Sequence, residues 1–383
     1  MTETTTSISD AATRGAAATI AEISRQPAVW RELADLLAAQ GPDVDAFLSP
    51  VLATPGLRVV LAGAGTSAFA GGVAAPALSR LLHRRFDAVA TTDIVADPSA
   101  AFAEDVPTLL VSFARSGNSP ESLAATRLAD EVLSNVHHLV ITCDRTGALH
   151  RAHEAAARSH VVLMPEQAND TGFAMTSSFT SMLLTVLTLF SRSGRSAIHS
   201  VAAAAQHVIA DRWQDIASIA SHPYTRVVYL GSGAFSALAQ EAALKLLELT
   251  AGRVVSFHDS ALGFRHGPKA VLTDDTLAVA FVSADDYTRR YDLDIVRELR
   301  GALGNDQVLV ITTGDFDDPN ALHLQGLGDL DDAFAAVAAV VPAQILALSF
   351  ALAVGTTPDN PFPKGDVNRV VQGVEIHPFV PQR

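Results

Sequence analysis

Cysteine is nearly missing from this chain: Cys143 is the single one among 383 residues. One thiol rules out a disulfide framework within the chain and any zinc site built on thiolates. It follows the apolar run Leu139–Thr142 and reads as a buried thiol at a strand end. Basic charge is also short, with 27 Lys and Arg against 41 Asp and Glu and a formal net charge of −14. A surface that acidic repels the phosphates of nucleic acid. It still admits a small phosphate ligand, because a local ring of hydroxyls and backbone N–H groups outweighs a distant net charge. The histidines show no H-E-x-x-H or comparable ligand spacing, so no metal is expected. The opening MTETTTSISDAATRG does not join a basic segment to an apolar one, so no signal peptide is expected either. One long apolar run, Ala333–Val354, is broken by Pro342 and Gln344 and follows Asp331-Asp332. It reads as a buried core helix rather than a membrane span, which makes a cytoplasmic protein the expectation.

What the chain does have is length and apolar material. Its 383 residues, 49% of them hydrophobic, suit two cores better than one. Ile20, Ile23, Trp30, Leu33 and Leu36 fall at helical spacing within 9–40, and Gly41-Pro42 is expected to stop that helix. Short apolar runs follow at 58–65 (RVVLAGAG), 88–93, 108–113, 138–143 and 160–165, with helix-compatible stretches such as 121–133 between them. Alternation of this kind predicts a parallel sheet with helices on both faces. The pattern then returns: RVVYLGSG at 226–233 restates RVVLAGAG about 170 residues later, and runs at 253–258, 276–281 and 307–312 continue it. The expected architecture is α/β, with two tandem doubly wound, flavodoxin-like three-layer domains at 45–200 and 201–383. A helical arm at 1–44 precedes them, and a helical segment at 199–220 connects them.

Glycines after a first parallel strand let backbone approach a phosphate at the next helix N-terminus. Gly63-Ala64-Gly65-Thr66-Ser67-Ala68 fits this, and it also fits a loose dinucleotide fingerprint with Asp93 as the ribose acid. The hydroxyls of Thr66 and Ser67, and the lack of a glycine or alanine at the third position of Gly231-Ser232-Gly233-Ala234-Phe235-Ser236, weigh against the dinucleotide without removing it. The stretch from Arg115 through Ser116, Gly117, Asn118 and Ser119 to Pro120 is more telling. Ser119 is a plausible N-cap and Pro120 a first helical residue. The same segment gathers hydroxyl and amide donors at a positive helix end, a cup suited to a phosphate dianion. Thr176-Ser177-Ser178 opens another helix and is a candidate to close the cup.

Acid–base chemistry has two candidate carriers. Glu241, Lys245 and Glu248 are spaced i, i+4, i+7 along one helical face. On an arbitrary helix that is a solvated ion-pair stripe. Here the helix follows the second glycine loop, and its first turns are expected to face the mouth of the sheet. His266, in the loop Ser260–Pro268, is either a turn residue or a group able to move protons near neutral pH.

Together, GAGTS (63–67), ARSGNSPES (114–122), FAMTSSFTS (173–181), EAALKLLEL (241–249) and SALGFRHGP (260–268) resemble the two-domain sugar isomerase (SIS) family. Within it the chain is similar to the isomerase half of glucosamine-6-phosphate synthase. It is more similar to AgaS-type tagatose-6-phosphate ketose/aldose isomerases or galactosamine-6-phosphate deaminases. The resemblance implies that Ser116, Asn118 and Ser119 hold the phosphate, with Gly65, Thr66 and Ser67 near the sugar. It implies that Glu248 shuttles a proton between C1 and C2 beside Lys245. His266 would open the ring from a neighbouring subunit, making a homodimer with intersubunit sites. Arg115 departs from the smaller polar residue of the synthase. The synthase's C-terminal lysine matches either Arg369, suited only to clamping sugar, or Lys364.

The implied reaction is conversion of galactosamine 6-phosphate to tagatose 6-phosphate with hydrolytic release of ammonia, with no cofactor. The chain begins Met1-Thr2-Glu3 with no N-terminal cysteine nucleophile or glutaminase segment, so amino-sugar synthesis is disfavoured. Plain aldose–ketose isomerisation, glucosamine-6-phosphate deamination and a non-catalytic phosphosugar sensor stand as alternatives, with a nucleotide enzyme behind them.

Overall fold

The computed structural model describes residues 11–191, 194–314 and 318–380. Its first long helix, α1 (Ala17–Leu52), runs through Gly41-Pro42 instead of stopping there. Proline removes one helical N–H and crowds the preceding turn. Yet Val44, Leu48 and Val51 are buried in phase with Trp30, Leu33 and Leu37, so burial of one continuous apolar stripe outweighs the local penalty.

Two compact units follow from the contacts. One comprises Val29–Asn169, Ser177–Arg195 and Gly365–Arg383, and the other Met1–Ala28, Asp170–Thr176 and Ser196–Lys364. The first-sheet unit contains β1 (Arg58–Gly63), α2 (Thr66–Leu82), β2 (Phe86–Ala90), β3 (Thr108–Ala114), α3 (Pro120–Val132), β4 (Val136–Thr142), α4 (Ala148–His153), β5 (Ser159–Leu163) and α5 (Ser177–Ser191). Its strands pair in parallel in the order β2-β1-β3-β4-β5. Side chains alternate across the sheet. Val60, Ala62 and Leu110 meet Ala125 and Ala129 of α3 on one face. On the other face Gly71 of α2 comes so near Leu61 that an added Cβ would lie 3.1 Å from it. The second apolar run differs from expectation: Thr91, Thr92 and Asp93 leave the sheet and begin a short helix, Thr91–Ala96. Asp93 is exposed there rather than at a strand end, which removes the ribose acid from the dinucleotide reading.

The second-sheet unit contains α6 (Gly194–His207), α7 (Trp213–Ile219), β6 (Arg226–Gly231), α8 (Ala234–Leu249), β7 (Val255–Asp259), β8 (Thr276–Val282), α9 (Asp286–Leu303), β9 (Val308–Thr312), β10 (Ala321–His323) and α10 (Asp332–Ala353). Its parallel order, β7-β6-β8-β9-β10, is that of the first sheet. Both sheets are thus flavodoxin-like, with α8 and α9 here in the places of α2 and α3. Three-residue β10 has no sequence signal, being too short to show a period. The long apolar helix α10 is 94% buried across its membrane-length window, as a core helix would be. Residues 11–28 join this unit through Asp359, whose carboxylate accepts from the N–H groups of Ala18 (3.0 Å) and Thr19 (2.8 Å).

Candidate active site

In the first-sheet unit, adjacent strands β1 and β3 deliver the two candidate phosphate loops to one sheet edge. Gly63 is obligatory: a Cβ there would sit 2.5 Å from the Ser67 carbonyl carbon. Gly65 adopts φ 54°, open to glycine at little cost. Thr66 and Ser67 then start α2 with both side chains buried.

The loop after β3 is built from within. Gly117 has φ 63°, and its carbonyl accepts the N–H of Leu149 at 2.9 Å. Asn118 Oδ1 accepts the N–H of Ala148, the first residue of α4, at 2.9 Å. Ser119 holds the N-cap position of α3, but its hydroxyl bonds Ser122 Oγ at 2.6 Å instead of capping the backbone. The first N–H groups of α3 thus receive no side-chain cap from Ser119, the state an incoming anion exploits. Ser177 and Ser178 lie at the first turn of α5 with no solvent exposure, so the hydroxyls a ligand would meet first are those of Ser116 and Ser119.

Arg115 is buried, and its Nη2 donates to the Arg369 carbonyl at 2.7 Å. Sequence reasoning treated the two arginines separately. No short-range signal links positions 254 residues apart. The Arg369 side chain itself is exposed, as is Lys364, which belongs to the other unit.

In the second-sheet unit, the stripe on α8 is not a solvated face. Glu241 and Lys245 are buried, while the Glu248 side chain keeps 24% exposure. Lys245 Nζ lies 2.5 Å from Glu248 Oε2 and 3.6 Å from Glu241 Oε1. A buried ammonium between two carboxylates holds the outer one in a single orientation while leaving its second oxygen for chemistry. One part of the expectation needs correction. Glu248 stands in the last turn of α8, about 21 Å along the axis from the glycine loop at 1.5 Å per residue. It therefore does not face the mouth of its own sheet; only the residues of the first turns do.

His266 ends a short 3-10 turn, Gly263–His266, and is exposed. Its loop is rigid nonetheless: Phe264 is buried, Ser260 Oγ accepts the Gly263 N–H at 3.0 Å, and Arg265 pairs with Glu298 at 2.7 Å. Large apolar side chains of this unit are exposed as well, with Leu247, Val255, Phe257 and Leu262 each more than 40% exposed.

A SIS domain model matches residues 52–192 and 222–318, one copy over each sheet. The chain belongs to the SIS domain family. AgaS of Streptomyces coelicolor is 54% identical over 365 residues, covering 94% of this chain and 95% of that one. The D-galactosamine-6-phosphate deaminase AgaS of a Shewanella species is 42% identical over 371 residues, 96% and 93% of the two chains. Among solved structures, tagatose-6-phosphate ketose/aldose isomerase from Escherichia coli superposes with a TM-score of 0.87 at 39% identity, covering 94% of this SIS protein and 96% of its own chain.

Sequence reasoning missed a second polar cluster in the SIS repeat that carries α8. Asp292 of α9 accepts from Ser232 Oγ at 2.5 Å and from the Ser283 N–H at 3.0 Å. Asp332 of α10 accepts from Ser283 Oγ and, at 3.1 Å, from the Ala284 N–H. Burial pushes the Asp292 carboxyl up to about 6, and the Asp332 carboxyl is raised for the same reason. Two isolated aspartates 40 residues apart give no sequence pattern; only the fold gathers them.

Proposed function

We propose that this SIS protein converts galactosamine 6-phosphate to tagatose 6-phosphate and ammonia. The observation that carries the reading is the buried Lys245 ammonium holding the part-exposed Glu248 carboxylate, a fixed base with one face open to solvent. In this reaction Glu248 takes the proton from C2 of the open-chain sugar and returns it at C1. The C2 amine becomes a ketimine, and water adds across its C=N bond, expelling ammonia and leaving the C2 ketone. Lys245 Nζ, 2.5 Å from Glu248 Oε2, holds the carboxyl group in place through the two transfers. His266 moves the ring-opening proton between O5 and the C1 hydroxyl. Ser116, Gly117, Asn118 and Ser119 hold the phosphate, whose binding energy anchors the reacting carbons. Thr66 and Ser67 lie beside the sugar, and Arg115 secures the Arg369 segment.

His266 works best when supplied to a second copy of the chain. Its exposure, together with that of Leu262, Val255 and Phe257, supports a homodimer closing over that surface. The expected setting is the cytoplasm.

The deciding experiment incubates purified protein with galactosamine 6-phosphate and with glucosamine 6-phosphate, measuring ammonia and ketose separately. Ammonia and ketose in equal amounts, faster from the galacto epimer, are expected. Ketose without ammonia from a neutral hexose phosphate would move the assignment to a plain isomerase, and binding without any product to a sensor. Glu248→Gln should lower kcat at least 1000-fold with KM little changed, since it removes the proton carrier and leaves the phosphate loop intact.

A further inference from the structure

The two sheets share one strand order, so each has a crevice where ligands of such sheets bind, at the carboxyl ends of its first and third strands. The glycine loops entering them match closely: Gly65 has φ 54° and ψ −128°, Gly233 φ 58° and ψ −125°. Gly63 and Gly231 make the same close approach, an added Cβ meeting the helix four residues on at 2.5 and 2.6 Å. What fills the two crevices differs. After β3 the chain makes the hydroxyl loop 115–119. After β8 it makes only Ser283-Ala284-Asp285 before α9 begins.

We propose that Asp292 and Asp332 are a built-in anion occupying the second crevice, closing it as a phosphate site and leaving the chain one sugar-phosphate site, that of the first sheet. These two carboxylates engage four donors that an external phosphate would otherwise use: Ser232 Oγ, the Ser283 N–H and Oγ, and the Ala284 N–H. Asp292 is 1% exposed, so no water competes for its place. The flanking Asp285 and Asp331 accept from the N–H groups of Thr288 and Ala333, capping α9 and α10. Arg289, which donates to the Ala284 carbonyl at 3.2 Å, is the cation at hand. Glu248 at the far end of α8 fits the same division: this repeat's reactive group stands away from its own crevice. The inference concerns which crevice accepts phosphate and holds whichever sugar is turned over.

The test uses inorganic phosphate on the full-length protein. In the unmodified chain the amide NMR signals of Ser232, Ser283 and Ala284 should stay in place throughout the titration. In Asp292→Asn/Asp332→Asn the same signals should move saturably, and equilibrium dialysis should count one more phosphate per chain than in the unmodified protein. Asp332→Asn alone, which removes one of the two charges and one of the two acceptor oxygens facing Ser283 and Ala284, should give a weaker gain and serves if the double variant does not fold. Saturable shifts of these amides in the unmodified chain would overturn the proposal. So would a folded charge-neutral variant that takes up no further phosphate. Neither readout depends on turnover, so loss of the proposed activity would leave this inference standing.

Discussion

Lys245 shows how burial changes the meaning of a residue. At i+4 from Glu241 and three before Glu248, it would contribute a few tenths of a kcal/mol on a wet helix. Enclosed at 1% exposure, it neutralises carboxylates that have been taken from water. Removing one partner of such a group strands the other's charge, a cost of about 3–5 kcal/mol. Lys245→Met, which leaves buried Glu241 without its cation, should therefore lower the urea midpoint substantially as well as abolish turnover, whereas Glu248→Gln, which leaves Lys245 beside Glu241, should lower it much less. Equal loss of stability in both would mean that Glu248 is structural. Arg115 is a second residue whose role comes from one contact. Its donation to the Arg369 carbonyl ties down a tail without secondary structure. Arg115→Ala should speed amide exchange and proteolysis within 365–380 while leaving the exchange of β1 and β3 untouched. Unaltered tail protection would show that the contact does not hold the segment.

At the scale of elements, the two glycine-initiated strand–helix units carry the fold's duplication. Both need a residue without Cβ at the strand end because the next helix crosses within 3 Å of where that atom would lie. Gly63→Ala and Gly231→Ala should each cost about 1–3 kcal/mol through forced displacement of the helix. The first should also weaken sugar-phosphate binding, since α2 carries Thr66 and Ser67, the residues proposed to lie beside the sugar. The second should leave phosphate affinity unchanged. Calorimetric titration of each variant with tagatose 6-phosphate separates the two effects, and equal weakening would contradict the asymmetry between the repeats. These elements were readable because β-branched runs ending in glycine have few other uses. The end of α1 was not, since a proline signal acts locally while the stripe that overrides it depends on what the helix packs against. Likewise the second strand was carried three residues too far, because Thr91 and Thr92 suit a strand by propensity and only the sheet's edge decides where it stops.

Across the whole molecule, buried ionisable groups give the units opposite responses to acid. In the first-sheet unit, burial lowers His153 to about 4, with the neighbouring His138 adding to the effect. The unfolded chain takes up this proton near the ordinary value of 6.5. Stability from the neutral ring is thus complete above pH 6.5 and is lost as pH falls toward 4, by about 3 kcal/mol. Asp292 in the second-sheet unit has the reverse sign. Its raised carboxyl binds a proton in the folded state first, so that unit gains stability as pH falls from about 6 toward the ordinary 3.8. Native-state hydrogen exchange at pH 5 and 7, corrected for intrinsic rates, should show β4 and β5 losing protection while β6 and β8 hold theirs. Uniform loss in both sheets would contradict this assignment.

The sequence by itself determined the α/β class, the doubled sheet, the phosphate-loop candidates and the acid–base stripe. Those features are local: each is written in a run of ten or so residues whose spacing reflects a helix or strand period. Tertiary structure decided which charges are dry, which end of α8 carries Glu248, that Arg115 reaches Arg369, and that two distant aspartates fill the second crevice. Each of these depends on residues brought together from 30 to 250 positions apart, where dielectric and donor supply are set by packing, which no periodicity in one chain records.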